Sequence, residues 1–283
     1  DAGCVVFGQS EVPLTNLRVM MQAMRYASTF GFSVWLRPQD ASLTNDGVAH
    51  DGEIATRLGL PSVPVCAETI ALSNILLLAK EAGVNLHLCR LSSAEGLNMV
   101  RAAKQQGLPV TCDVSINHLH LSDMDINFFD SNCHLMPPLR SASDRDALRS
   151  CLQDGTIDAV CSDHSPVDED AKLLPFGEAE VGATGVELLL PLTLKWSMEM
   201  RVPLVTALEK ITVEPAKILG IDAGHLSPDS AADVCIFDPE KYWNVATTAI
   251  KSQGKNTPFL GMELPGKVKY TLVNGNVVYE DLN

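Results

Sequence analysis

Residues 159–166 read Ala-Val-Cys-Ser-Asp-His-Ser-Pro, an apolar run that ends in an acid and a histidine. The apolar part is typical of a short buried strand. Asp163 and His164 follow at the carboxyl end of that strand, where α/β barrels build their functional sites. We therefore predict that a functional centre of this chain includes Asp163.

The composition indicates a globular protein and excludes several classes of partner. The chain has 283 residues, 46% of them hydrophobic, with a formal net charge of −14. Nucleic acids and anionic membranes bind clusters of Lys and Arg, and this sequence has no such cluster. We therefore expect neither as a partner. No apolar run has membrane-spanning length, and we expect no signal peptide. Eight cysteines without a CxxC pair favour reduced thiols, which predicts a cytoplasmic protein.

Strand-like and helix-like segments alternate along the first two thirds of the chain. The predicted strands end near Phe7, Leu36, Leu91 and Val114, and the fifth is the run before Asp163. Such alternation is typical of a parallel sheet with helical crossovers. An open sheet and a closed barrel share this pattern, so the sequence pattern leaves both open.

Local signals predict where several elements begin and end. Pro13 is expected in the first turn of a helix that continues to Ala27, and Gly83 is expected to end a helix that begins near Glu68. Ser92-Ser-Ala-Glu95 has the pattern of a capping box. Residues 174–182 are expected to form a lid or rim. From Asp222 short strands dominate, and Asn274-Gly275 predicts a tight hairpin.

Several motifs resemble the dihydroorotases of the amidohydrolase superfamily, in the right order and over nearly the whole chain. Ser162-Asp-His-Ser-Pro166 is similar to the Asp-His-Ala-Pro motif of the last barrel strand, and Pro137-Pro-Leu-Arg140 to a segment before it. Ser252-Gln-Gly-Lys-Asn-Thr-Pro258 and Val273-Asn-Gly275 are similar to the closing segments.

The resemblance implies an α/β fold, a (β/α)8 TIM-type barrel with a small β-sandwich domain. It implies that residues 1–221 supply barrel strands four to eight with the closing helices, and residues 222–283 the C-terminal part of the small domain. The first three strands, with the family's His-x-His metal ligands, are then expected upstream of Asp1.

The family's reaction interconverts carbamoyl aspartate and dihydroorotate with the help of bound zinc. At the position of the family's bridging carboxylate or carboxylated lysine this chain has Gln9 and Ser10, with Glu11 as a weak substitute. Arg37 and Arg90 stand where the resemblance implies ligand histidines. A guanidinium has no lone pair and stays protonated, so neither arginine can bind a metal. Asp163, vestigial as a catalytic residue, is expected to form an ion pair with Arg37 and Arg90 in the former metal site.

The remaining candidates favour structural roles. His87 lies three residues before Arg90, so strand alternation places it on the opposite face, as a core or interface histidine. His118 and His120 lie in a predicted loop, where solvent exposure or capping is expected. Met136 and Val167 replace an Asn and a His that meet substrate in the family, so no substrate-binding residue is predicted.

These observations favour a noncatalytic dihydroorotase-like protein without a metal or other cofactor. By resemblance, its partner would be the catalytic chain of aspartate carbamoyltransferase, and we expect a homo-oligomer. The alternative is an active zinc-dependent dihydroorotase that uses the upstream His-x-His pair with Asp163. A hydantoinase-like ring-opening enzyme is a third possibility, against which the same ligand losses count.

Overall fold

A computed structural model describes residues 3–9 and 12–281. Its strands are β1 (Val6–Gly8), β2 (Ser33–Leu36), β3 (Ala49–His50), β4 (Ser62–Val63), β5 (Leu86–Leu88), β6 (Val110–Ser115), β7 (Ala159–Cys161), β8 (Val234–Asn244), β9 (Glu263–Val273) and β10 (Asn276–Glu280). Its α-helices are α1 (Leu17–Thr29), α2 (Ala41–Thr44), α3 (Glu53–Leu58), α4 (Cys66–Ala82), α5 (Ala94–Gln105), α6 (Ala142–Gln153), α7 (Leu189–Met200), α8 (Leu204–Glu209) and α9 (Val213–Leu219).

Five strands form a parallel sheet in the order β1-β2-β5-β6-β7. Successive strands of the sheet are joined by crossovers that contain helices, as the alternating sequence pattern predicted. Because all five strands are parallel, the side chains that follow them lie along the same edge of the sheet. This edge brings together residues that are far apart in sequence.

The two faces of this sheet differ in chemistry. Leu36, Leu86, Leu88 and Cys112 point to one face and belong to the buried core, together with the apolar sides of α1, α4 and α5. The alternate residues occupy the other face, where the register pairs Trp35 with His87 and His87 with Thr111. Polar groups thus line one face of an otherwise apolar layer.

Helix α4 is an example of a predicted element with the predicted end. Gly83 has a φ of 62°, and its N–H donates to the carbonyl of Ala79. Glycine adopts this left-handed conformation without the steric cost of a Cβ, so it ends the helix.

Two predicted helix starts are wrong. Helix α1 begins at Leu17 rather than near Pro13, because the side chain of Asn16 accepts hydrogen bonds from the N–H groups of Arg18 and Val19. Helix α5 has no Ser92–Glu95 box. Ser93 is its N-cap, and the carboxylate of Glu68 on α4 accepts from the N–H and hydroxyl groups of both Ser92 and Ser93.

The C-terminal strands form a separate antiparallel sheet in the order β10-β9-β8. Asn274 and Gly275 connect β9 to β10 with φ of 48° and 79°, which confirms the predicted hairpin. Strand β9 packs on α7, where Gly266 (φ 87°) faces the side chain of Leu194 and leaves no room for a Cβ. Helix α9 ends before this sheet begins, and the proposed boundary at residue 221 stays a prediction. No helix among the described residues is long and apolar enough to cross a membrane.

Candidate functional site

Arg90 and Asp163 form an ion pair at the carboxyl edge of the parallel sheet. Arg90 follows β5 and Asp163 follows β7, and the guanidinium Nη1 lies 2.8 Å from the carboxylate Oδ1. The side chains of Arg90 and Asp163 are 19% and 8% exposed. A pair this sheltered is screened little by solvent, so its partners depend strongly on each other.

Both residues of this pair have a left-handed backbone. The φ angles are 56° at Arg90 and 48° at Asp163. Such values are uncommon for residues other than glycine and cost about 1–3 kcal/mol each unless surrounding contacts impose them. The turns after β5 and β7 thus direct the side chains of Arg90 and Asp163 towards each other.

Asp113 on β6 is the contact that fixes the turn at Arg90. Its Oδ1 accepts the backbone N–H of Arg90 at 2.8 Å and lies 3.3 Å from the Sγ of Cys161. Burial, with the nearby Asp113 and Asp163 carboxylates, raises the pKa of the Cys161 thiol well above its usual range, so the thiol keeps its proton and donates it. Asp113 therefore connects β5, β6 and β7 beneath the ion pair.

Sequence reasoning missed Asp113, although one signal was present. It is an acid inside the apolar segment that was predicted as a strand, and a buried carboxylate requires several hydrogen-bond donors. The structure provides them from two neighbouring strands.

His87 is buried, as predicted, and it shares a contact partner with the backbone of Arg90. Its Nε2 lies 2.9 Å from Oδ2 of Asp113, so His87 and Arg90 meet at the same carboxyl group. The guanidinium of Arg90 contacts Asp163 instead, and the predicted placement of the two side chains on opposite faces stays a prediction.

His118 and His120 are not exposed to solvent as expected. His118 is 2% exposed with Nε2 3.3 Å from the carbonyl of Pro138, and Nε2 of His120 lies 2.9 Å from the carbonyl of Leu192. Burial lowers the pKa of His118, although the Asp163 charge opposes this change. Burial also lowers the pKa of His120, to about 4.

Gln9 and Arg37 lie at the same edge of the sheet, at the ends of β1 and β2. Arg37 is buried, and its carbonyl accepts from Nε2 of Gln9 at 3.3 Å. Both residues line a cavity of about 330 Å³ whose other polar lining includes Asp40 and Asn74. Ser10 and Glu11 lie outside the described residues. The ion pair that the structure describes for Asp163 comes from Arg90, and the predicted contribution of Arg37 stays a prediction.

The loops around Asp163 are held in place by Asn256. Its amide Nδ2 donates to the carbonyls of Ser165 and Gly182, and its Oδ1 accepts the N–H of Val167 at 3.0 Å. His164 is used structurally as well, because its Nδ1 accepts from the N–H of Gly185 at 3.2 Å. The segment that resembles the family's closing motif thus anchors the turn after β7.

The predicted rim, residues 174–182, packs against the neighbouring loop. Phe176 is 3% exposed and its ring lies 5.1 Å from that of His134, whose Nδ1 is 2.8 Å from the carbonyl of Ala179. Arg140 of the Pro-Pro-Leu-Arg segment is also buried, and it donates to the carbonyl of Val63 and the hydroxyl of Ser92. Burial lowers the pKa of Arg140. These side chains are engaged in holding loops together.

The residues at the sheet edge do not fit the family's zinc. A metal ligand must offer a lone pair, and Arg90 instead places a guanidinium at hydrogen-bonding distance from Asp163. A zinc ion bound by Asp163 would have to displace this group. The arrangement supplies a fixed positive charge at Asp163 from the residue that follows β5.

Comparisons with known proteins show the family of the chain. A model of the amidohydrolase family matches residues 5–278. A "Dihydroorotase-like protein" from Pseudomonas putida is 43% identical over 279 residues, which cover 99% of this chain and 66% of the relative. A protein of the same description from Pseudomonas aeruginosa is 41% identical with the same coverage, and a "Dihydroorotase" from Geobacter sp. strain M21 is 39% identical. The chain thus spans about two thirds, 66%, of the length of these relatives.

Solved structures confirm the predicted fold class. The L-hydantoinase (dihydropyrimidinase) from Arthrobacter aurescens matches with a TM-score of 0.89 and 27% identity, over 99% of this chain and 66% of that chain. A D-hydantoinase (dihydropyrimidinase) from Thermus sp. matches with a TM-score of 0.83 at 23% identity, over 93% of this chain and 60% of that one. The described residues therefore form part of a TIM-type barrel, accompanied by a small β domain.

Proposed function

The chain belongs to the amidohydrolase family, and from this premise we propose that it is a dihydroorotase-like protein of pyrimidine biosynthesis without metal-dependent dihydroorotase activity. We also propose that it is a structural partner of the aspartate carbamoyltransferase catalytic chain and a homo-oligomer in the cytoplasm. The similarity to proteins described as dihydroorotase-like and dihydroorotase supports the pathway.

The ion pair between Arg90 and Asp163 carries the proposal of lost catalysis. Dihydroorotase chemistry needs a bound metal to activate water and an acid that is available for proton transfer. Here the carboxylate of Asp163 accepts a hydrogen bond from a permanently charged guanidinium at 2.8 Å. The positive charge that a metal would provide is part of the chain.

The rest of the sheet edge supports the same conclusion. The residues after β1 and β2 include Gln9 and Arg37, neither of which is a usual zinc ligand. Val167, at the place of a family histidine, contributes its backbone N–H to Asn256. The scaffold is kept while groups for metal binding and substrate binding are replaced.

The test of lost catalysis is a dihydroorotate hydrolysis assay on the full-length protein with added zinc. We expect the same background rate for the natural protein and for Asp163→Asn. Zinc-dependent turnover that disappears in Asp163→Asn would overturn the proposal.

The partnership needs a separate test. The full-length protein and the carbamoyltransferase catalytic chain of the same organism would be mixed and analysed by size-exclusion chromatography with mass measurement. We expect one complex of defined stoichiometry that contains several copies of each chain. Two separate peaks at micromolar concentrations would contradict the scaffold role.

The second candidate is an active zinc-dependent dihydroorotase. It is favoured by relatives that are 34–39% identical and described simply as dihydroorotases. The hydrolysis assay separates the two candidates, because only the enzyme loses zinc-dependent turnover with Asp163→Asn.

A further inference from the structure

A second group of potential metal ligands lies one layer below the ion pair. Ligand atoms of His87, Cys89 and Asp113 all lie within 4.8 Å of one another. His87 and Asp113 are buried, and Cys89 is half-buried. This cluster is separate from the edge residues that replace the family's ligands.

The imidazole of His87 is oriented as a metal ligand would be. Its Nδ1 lies 2.8 Å from Oγ1 of Thr111, and that hydroxyl in turn faces the carbonyl of Leu86 at 3.5 Å. If the hydroxyl donates to the carbonyl, it accepts from Nδ1–H, and the lone pair of the ring is then on Nε2. Ligand histidines are held in this way, through the nitrogen that does not bind the metal.

The carboxylate of Asp113 is oriented by the opposite oxygen. Its Oδ1 receives the N–H of Arg90 and the thiol of Cys161, which leaves Oδ2 directed at Nε2 of His87 at 2.9 Å. Two lone pairs at this distance repel each other unless a cation lies between them. A proton fills that role at this distance, and a metal ion would fill it if the two groups moved slightly apart, with the nearby sulfur of Cys89 as a third ligand.

The contacts argue against a nucleophilic cysteine. A Cys–His pair needs a ring nitrogen directed at the sulfur, with a third group on the other nitrogen. Here the two nitrogens of His87 face Thr111 and Asp113. Nitrogen, sulfur and oxygen donors together instead match the ligands of zinc.

We propose that His87, Cys89 and Asp113 bind a thiophilic divalent cation of the zinc type inside the barrel. Zinc bonds of about 2.0–2.3 Å place neighbouring tetrahedral ligands roughly 3.3–3.8 Å apart. The 2.9 Å between His87 Nε2 and Asp113 Oδ2 would therefore widen by about 0.4 Å, and the other ligand atoms, which lie within 4.8 Å, would approach by up to about 1 Å. The ion would crosslink β5 and β6 below Asp163. It would have a structural role and would not depend on the proposed loss of catalysis.

The test is a Co²⁺ titration of chelator-treated full-length protein, followed through the sulfur-to-cobalt charge-transfer absorption, with zinc content measured by elemental analysis. We expect one ion per chain and loss of the charge-transfer band in Cys89→Ser. Cys235→Ser, which removes an exposed thiol, is the control and should keep the band. Thr111→Val should weaken binding about 10–100-fold by releasing the ring of His87.

Two outcomes would overturn the site. Either no stoichiometric Co²⁺ or Zn²⁺ binds, so that a proton alone joins His87 to Asp113, or binding and its absorption band survive in both Cys89→Ser and His87→Gln. Asp163→Asn distinguishes this site from the sheet edge: it should leave Co²⁺ binding unchanged whether or not the protein has dihydroorotase activity.

Discussion

The ion pair at the sheet edge and the cluster below it use similar groups in opposite ways. At the edge, Arg90 supplies a permanent positive charge to Asp163. One layer deeper, Nε2 of His87 lies 2.9 Å from Oδ2 of Asp113, and the site proposed above would add a metal ion from outside the chain to these two groups. The difference teaches that within one sheet a carboxylate can take its positive partner from an arginine of the chain, while the carboxylate below it is paired with an imidazole.

The largest expected effect comes from breaking the ion pair. Arg90→Met should lower the free energy of unfolding by about 3–5 kcal/mol, because it leaves the 8% exposed carboxylate of Asp163 without this cation. Urea denaturation measures the change. The control is Arg25→Met, whose pair with Glu81 is exposed on both sides and should cost no more than about 1 kcal/mol.

The double variant Arg90→Met with Asp163→Leu sharpens this test. Removing both charges should restore most of the lost stability, because an apolar pair carries no desolvation cost. If Arg90→Met alone is as stable as the natural protein, the ion pair does not stabilise the sheet edge.

At Asp113, below the ion pair, we expect a smaller loss of stability. Asp113→Asn weakens hydrogen bonds from Arg90 and Cys161 and the contact with His87, and hydrogen bonds to a charged group contribute about 1.5–3 kcal/mol. Urea denaturation should show a loss of that size. Asp146→Asn, on an exposed carboxylate, is the matched control. An equal loss of stability in both variants would show that the contacts of Asp113 contribute nothing specific.

Acid should destabilise the protein through two sheltered histidines, His118 and His120. Burial lowers the pKa of His118 in the folded state and lowers that of His120 to about 4, whereas an unfolded histidine titrates near pH 6.5. Between pH 6.5 and about 4 the unfolded state thus binds more protons. The free energy of unfolding should fall with pH by at most about 1.4 kcal/mol per unit for each histidine.

Unfolding measured from pH 7 to 4 checks this slope. His120→Gln should reduce the pH dependence of the free energy of unfolding by up to about 1.4 kcal/mol per pH unit, the amount for one proton. His225→Gln is the control, because His225 lies on an exposed turn beside Asp222. A slope that His120→Gln leaves unchanged would mean that its imidazole takes up a proton at the same pH in the folded and unfolded states.

The smallest effect is expected from Cys161, whose thiol contacts Asp113. Cys161→Ala removes the donor to Asp113 and should cost about 1 kcal/mol. Cys235→Ala, on an exposed strand, should cost less than about 0.5 kcal/mol. Equal unfolding midpoints for the two variants would show that Cys161 contributes nothing through Asp113.

Much of the fold followed from the sequence because its signals were local. The period-two apolar runs, Gly83 and Asn274-Gly275 determine a strand, a helix end and a turn through their own backbone preferences. The ion pair of Asp163 was expected from the family resemblance, which places Arg90 at a ligand position, and the parallel order of the strands brings the two residues to the same edge.

The features that the sequence did not predict depend on contacts between residues that are distant in sequence. Glu68 replaces the expected capping box of α5 from another helix, and the turn at Arg90 is fixed by Asp113 on the next strand. The burial of His118 and His120 follows from their packing against residues 138 and 192. A local pattern does not contain this information.

The most direct measurement is anomalous diffraction at the zinc edge from crystals of the full-length protein grown with zinc. The account predicts no peak within bonding distance of Asp163, with Arg90 in contact with that carboxylate, and a peak at His87, Cys89 and Asp113. A zinc peak bonded to Asp163 with Arg90 displaced would contradict the central claim that the chain itself supplies the charge of the former metal site.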